Sequence, residues 1–183
     1  MDALDNILNR VSSRELSLPH PNPKEMALAY KAALRAPDHA WLRPSSFIEV
    51  KGDGLSKLAK IFENYALSIP DIDETRINKY KEAPCRAPMR VILVNTFTEH
   101  PKVPAIEQKL STAAAAQNLM LSLNAQGYGA IWRTGKLAFN KTISKDLGLD
   151  HNQEILGFLY IGTNTGKNKK VPDLDVDKFV SIL

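Results

Sequence analysis

Arg90-Val91-Ile92-Leu93-Val94-Asn95-Thr96 is a nearly continuous apolar run of strand length. A half-exposed strand alternates polar and apolar residues, so an unbroken run of this kind reads as a strand covered on both faces, central in its sheet. Ile155-Leu156-Gly157-Phe158-Leu159-Tyr160-Ile161-Gly162 repeats the pattern near the C-terminus. Phe47-Ile48-Glu49-Val50 reads as a shorter strand, followed by a turn at Gly52-Asp53-Gly54. Ala130-Ile131-Trp132-Arg133 begins another strand after the glycines at 127 and 129.

Helical patterns fill the intervals. Asp2 to Arg10 carries Ala3, Leu4, Ile7 and Leu8 at helical spacing behind acidic residues. Asn22 is a cap, Pro23 suits the first helical position, Glu25 completes a capping box, and Met26, Ala29, Tyr30 and Ala33 form the stripe of a second helix ended by Ala36-Pro37. Further helices are expected over 55–66, 75–81, 106–126 and 140–147. The longest has small residues, Ala113 through Ala116, that admit another backbone, and is placed at the core or at a subunit seam. Residues Ser68 to Pro88, polar and broken by three prolines, read as a lid or excursion beside the core.

Helices alternating with at least three strands give an α/β or α+β class, with a mixed sheet between helical layers. A Rossmann unit is disfavoured, because the first element is a helix and no glycine fingerprint joins a first strand to a helix. At 183 residues and 44% hydrophobic, one domain over 1–183 is expected, with a C-terminal arm from about residue 163 whose apolar end, Phe179 to Leu183, docks on a partner subunit.

Composition narrows the function. The single cysteine, Cys85, excludes an intrachain disulfide framework and fits a reducing cytosol; it reads as a half-buried structural thiol. The N-terminus lacks a basic segment followed by an apolar one, so neither a secretory signal nor an anchor is expected, and the location implied is cytoplasmic. The apolar segment from Ser111 to Ile131 is broken by Gln117, Asn118, Asn124 and Gln126, which argues against a membrane span. A net charge of +4 is spread along the chain, and its one dense cluster, Lys167, Lys169 and Lys170, has no interleaved aromatics, so nucleic acid is not an expected partner. Four histidines without ligand spacing place metal-dependent hydrolysis last among the readings.

The chemistry concentrates in Gly127-Tyr128-Gly129-Ala130-Ile131-Trp132-Arg133-Thr134-Gly135. Glycines let backbone approach a ligand, while an arginine and a threonine can donate to an anion, so the run reads as a phosphate grip. Arg10 and Ser12, at the exit of the first helix, are a second candidate donor set. A third segment, Arg35-Ala36-Pro37-Asp38-His39, sits on a turn fixed by proline.

Together, Arg10-Val11-Ser12 with Arg14, Arg35 to His39 with Pro44, and Gly127 to Gly135 resemble the nitroreductase family of flavoproteins, especially its small single-domain bacterial members. The Gly-Phe-Leu-Tyr-Ile-Gly strand at 157–162 shares the likeness, which covers nearly the whole chain. The resemblance implies an α+β fold with a mixed sheet sandwiched between helices, an intertwined homodimer, and FMN at each of two interface sites. By that likeness Arg10 and Ser12 hold the phosphate and ribityl chain, with Arg133 and Thr134 as the facing half of the grip. Arg35 and His39 reach the flavin from the second subunit, and Ile131 with Trp132 supports the ring pocket. It further implies NADH or NADPH as reductant, a small electron-poor acceptor such as a nitroaromatic or quinone, and no dedicated catalytic side chain, since the flavin carries the redox chemistry. The chain departs from the pattern twice: Val11 replaces a second arginine, and Ser45 stands where a tryptophan follows the proline. Those departures keep a second reading open, an FMN-binding dimeric interaction protein with little turnover.

Overall fold

The computed structural model describes residues 2–167 and 169–183. Its strands are β1 (Leu16–Ser17), β2 (Ser45–Lys51), β3 (Met89–Thr96), β4 (Gly129–Arg133) and β5 (Gln153–Asn164). The helices are α1 (Ala3–Asn9), α2 (Pro23–Ala33), α3 (Asp53–Leu67), α4 (Glu74–Lys81), α5 (Ala105–Ala125) and α6 (Lys141–Asp146). All four strands read from sequence are longer than the runs that marked them, and β1 went unread because two residues carry no periodicity.

β5 is the hub of the sheet, paired with β3, β4 and β1, while β2 pairs with β3. All these pairings are antiparallel; the mixed character comes from a single parallel bridge between Ser12 and Ala130. β3 is central, as its apolar run requires, with Val91, Ile92, Leu93 and Val94 essentially inaccessible. Because side chains alternate across a strand, Met89, Val91 and Leu93 join Leu159 and Ile161 on one face, and Ile92 and Val94 join Phe158 and Tyr160 on the other. The first face is covered by Met26 and Ala29 of α2 and by Ala115, Ala116 and Leu119 of α5. Leu58 and Phe62 of α3, with Ile143 of α6, cover the second. The result is an α+β sandwich with helices on both sides of the sheet.

Local chemistry sets the element ends. Asn22 accepts from Lys24 and Glu25 while the Glu25 side chain returns to Asn22, closing the capping box, and α2 stops at Ala33, earlier than the Pro37 boundary read from sequence. α5 ends where Gly127 adopts φ +87°.

Two expectations change and a third is narrowed. The apolar stripe of α1 is uncovered: Leu4, Ile7 and Leu8 are all exposed. Cys85 is exposed instead of half-buried, because the 3-10 turn Ala83–Arg86 sends Ala83 and Pro84 inward and turns the thiol out. The segment 68–88 is an excursion anchored to the core: the guanidinium of Arg90, fully buried in β3, donates through Nε to Pro84 O at 2.7 Å and through Nη2 to Ala83 O. Burial pushes Arg90 down to about 10, and its cation lies 3.5 Å from the centre of the Tyr160 ring.

Candidate functional site

The N-terminal segment and the glycine-flanked run meet within one chain. Ser12 bridges to Ala130, and Ser13 N donates to Ala130 O at 3.0 Å. Gly129 is what permits this approach, since a Cβ there would lie 2.8 Å from Ser13 Oγ. Arg10 is the half-buried C-cap of α1, with Val11 beside it and Arg14 exposed further on. The Ser12 carbonyl also accepts from the Lys169 ammonium, so the basic tail returns to the same place.

Strand alternation then separates the residues of β4. Trp132 packs on the α2/α5 face and donates from Nε1 to Leu156 O at 3.2 Å. Ile131 packs on the opposite face, and so does Arg133, whose guanidinium lies 5.1 Å from the Tyr160 ring centre. Arg133 Nε is buried without a hydrogen-bond partner among the described residues. Such a donor is costly unless a ligand satisfies it.

Arg133 and Thr134 open into a recess of about 600 Å³. Arg76, Lys79, Arg86 and Lys136 also line it, with no carboxylate among the described residues that do. Tyr80, Phe158 and Tyr160 supply its aromatic surface. The α4 and turn residues here were missed in the sequence, where basic and acidic side chains of the excursion are balanced and give no signal. A larger recess of about 800 Å³ near Phe97 and Phe139 contains none of the candidate residues.

Arg35 and His39 lie elsewhere. Arg35 is exposed just beyond α2, and His39 Nδ1 sits 2.6 Å from Glu107 Oε2 in the first turn of α5. At the other end of that helix, Asn6 of α1 donates to Leu121 O at 3.0 Å and accepts from Asn124 at 2.7 Å. At 1.5 Å per residue the two anchor points are about 20 Å apart along α5. One chain therefore does not gather Arg10 and Ser12 with His39.

The loop after His39 is strained, with positive φ at Ala40, Trp41 and Arg43, and is held by Asp38 accepting from Leu42 N and Arg43 N. Ser45, at the tryptophan position, donates to Thr112 Oγ1 at 3.1 Å, and Thr112 donates to Asn95 Oδ1 at 3.0 Å. The Ser45 hydroxyl is thus held in a hydrogen-bonded chain that reaches β3.

This fold and these segments are those of a flavoprotein reductase family. The family named Nitroreductase matches residues 7–163, and the chain belongs to it. It is 34% identical over 163 residues, 89% of this chain and 88% of the relative, to YdjA of Escherichia coli K12, provisionally named an NAD(P)H nitroreductase. A Haemophilus influenzae protein carrying the same provisional name is 30% identical over both full lengths. Among solved structures, a nitroreductase-like protein from Bacillus cereus superposes with a TM-score of 0.85 at 21% identity, covering all of this chain and 96% of that one. NfnB of a Sphingopyxis strain, described as an FMN- and NADPH-dependent nitroreductase, superposes at 0.77 with 18% identity, covering 100% and 99%.

Among the described residues, no group of three or more His, Cys, Asp and Glu side chains is arranged to hold a metal ion, and no helix is long and apolar enough to cross a membrane.

Proposed function

We propose that the chain is an FMN-dependent oxidoreductase, acting as a homodimer, that passes a hydride equivalent from NADH or NADPH to an electron-poor acceptor such as a nitroaromatic or quinone. The observation that carries this reading is that β4 joins the Ser12 bridge at Ala130 to Arg133, which lines a cation-rich recess and whose Nε lacks a partner among the described residues. A phosphate monoester, with close to two negative charges, suits such donors. In this reading Arg10 and Ser12 hold the FMN phosphate and ribityl chain, Arg133 and Thr134 face them, and β4 borders the ring at Ile131 and Trp132, whose side chains take opposite faces of the strand.

Arg35 and His39 complete the site from a second copy: Glu107, which His39 contacts, lies about 20 Å along α5 from Leu121, to which α1 is anchored in the same chain. The apolar surface available for that copy is extensive: Leu4, Ile7 and Leu8 of α1, with Ile106 and Leu110 of α5, are exposed. Bound FMN would supply hydride acceptance at N5 and its return to the second substrate. The protein positions, excludes water from the ring pocket, and places cations where negative charge accumulates.

Val11 and Ser45 keep the second reading alive, a dimeric flavin-binding protein with little turnover. The deciding experiment is to purify the protein, add FMN and record the visible spectrum, then add NADH or NADPH without oxygen. Rapid bleaching supports the enzyme, and retained colour supports the binding protein. A preparation that stays colourless with FMN overturns both.

A further inference from the structure

The cations that line the recess at Arg133 carry more charge than one phosphate monoester neutralises. Arg76, Lys79, Arg86, Arg133 and Lys136 contribute it, with no carboxylate among the described residues of the lining, whereas FMN would bring close to two negative charges. None of these side chains takes part in an ion pair among the described residues. Lys81, on the same helix, is by contrast held by Glu63 of α3 at 2.9 Å. Arg76, Lys79 and Tyr80 share one face of α4, and Arg86 donates to Lys79 O at 3.3 Å, which keeps the turn and its cation beside that face. A cleft lined by one sign of charge concentrates ions of the other. The larger recess near Phe97 lacks this character, since it holds Asp150 and Glu154, and Glu154 pairs with Lys109 at 3.0 Å.

Charge, and not a ring face, is what the cationic recess offers a ligand. Phe158 and Tyr160 are buried, and the guanidiniums of Arg90 and Arg133 already face the Tyr160 ring. Its place along β4 agrees: Ile131 and Trp132 border the flavin ring in the proposed site, while the recess begins at Arg133, on the side of the phosphate.

We propose that Arg76, Lys79 and Arg86 form a subsite for the 2′-phosphate of NADPH, and that this chain takes its hydride from NADPH in preference to NADH. This rests on the oxidoreductase reading and names the reductant of that site. In NADPH the nicotinamide and the 2′-phosphate stand at opposite ends, separated by two riboses and a diphosphate, so a nicotinamide laid on the flavin sends that phosphate away from the ring. A dinucleotide running beside the ribityl chain delivers it to the phosphate end of the cofactor, where the recess lies. Each of the two arginines can pair two oxygens of a phosphate at once, and Lys79 adds a point charge. NADH brings the same hydride and lacks only the monoester. The 2′-phosphate takes no part in the bond changes, so the preference is one of binding alone.

The test uses the FMN-loaded protein with Arg76→Ala, Lys79→Ala and the double variant, and follows flavin bleaching without oxygen at low, matched concentrations of NADPH and NADH. Both side chains are exposed, so the fold should be retained. The wild type is expected to be reduced about tenfold faster by NADPH, and that NADPH-to-NADH ratio is expected to fall about tenfold in the double variant. Calorimetry then compares 2′,5′-ADP with 5′-AMP, which differ only in the phosphate at issue. The first should bind more tightly, and its advantage should shrink in the variants and with added salt. Equal reduction by the two dinucleotides, a ratio unchanged in the variants, or inorganic phosphate that displaces 2′,5′-ADP at equal concentration overturns the subsite. Loss of FMN from the double variant with the ratio intact also overturns it, and assigns the cations to the flavin phosphate. If neither dinucleotide bleaches bound FMN, the oxidoreductase reading fails; the 2′,5′-ADP titration then decides the subsite by itself.

Discussion

The indole of Trp132 rests directly against the backbone of Gly157. A Cβ at position 157 would fall 2.7 Å from Trp132 Cδ1 and 2.9 Å from the Arg133 carbonyl oxygen, and the residue has φ +149°. Glycine thus admits the side chain that the functional reading places under the flavin. Gly157→Ala is expected to force Trp132 off Leu156 O and to cost about 1–3 kcal/mol. Chemical denaturation measures the cost, and tryptophan fluorescence reports the displaced ring. Unchanged stability and emission would show that the packing is looser than described.

Gly129 plays the corresponding part for the N-terminal segment. An alanine methyl there would meet Ser13 Oγ at 2.8 Å and Leu16 Cδ2 at 2.9 Å, on neighbours fixed by β1 pairing and the Ser12 bridge. The variant should separate Arg10 and Ser12 from β4 while the sheet persists. FMN affinity, measured by flavin fluorescence, is expected to weaken about tenfold with little change in circular dichroism. Full affinity in a folded variant would remove the N-terminal segment from the site.

Leu110 is 61% exposed and lies one helical turn from Ile106 on α5. A buried charge at a subunit seam is strongly destabilising, so Leu110→Glu should convert a dimer to monomers. Light scattering gives the mass, and the monomer should lose FMN because Arg35 and His39 are then out of reach. A flavin-retaining monomer contradicts a site shared between copies.

The sheet was legible because burial on both faces leaves an unmistakable mark: the middles of β3 and β5 carry nearly unbroken apolar runs, whichever face each side chain takes. Arg90 shows the limit. A guanidinium inside that run gave no hint that it binds the carbonyls of Ala83 and Pro84 and secures the excursion. β1 has only two residues, and its pairing depends on a partner more than a hundred residues away. The segments proposed to hold the cofactor could be named from their residues, and the meeting of Ser12 with Ala130 agrees with their shared role. The lining contributed by α4 could not, because scattered surface cations look the same in sequence whether or not a recess lies between them. Glu107 was silent for a like reason: only the fold brings it to His39.

The attachment of α4 should depend on acid pH. Lys60 Nζ at 2.8 Å and Lys81 Nζ at 2.9 Å both contact the Glu63 carboxylate, and their hydrogen bonds hold Glu63 down to about 2, below its ordinary 4.5. A carboxylate whose folded value is depressed stabilises fully above the unfolded value and loses that contribution as pH falls through the folded one. The Lys81 contact, which joins α4 to α3, should therefore weaken between about pH 4.5 and 2. Amide exchange in residues 74–81 should accelerate across that window, and Glu63→Gln should remove the added pH dependence. Identical exchange profiles in wild type and variant would assign the attachment to other contacts, such as the Tyr65 and Tyr80 rings packed edge to face at 5.6 Å.

Glu107 offers a measure of how His39 acts. The 2.6 Å contact to Nδ1 directs the other ring nitrogen away from α5 and fixes a side chain that stands on a strained loop. If His39 reaches the flavin of the neighbouring copy, freeing its ring should cost affinity by the entropy of re-ordering it, without deleting the contact itself. Glu107→Ala is then expected to weaken FMN binding by about threefold to tenfold, on the order of 1 kcal/mol. Glu107→Gln, which can still accept a hydrogen bond from Nδ1, should recover part of the loss. His39→Ala should weaken binding at least as much, and adding Glu107→Ala to it should cost nothing more, because a positioning residue has no effect once its target is gone. Additive losses in that cycle would show that Glu107 acts independently of the imidazole, and no loss in either single variant would take the pair out of the cofactor site.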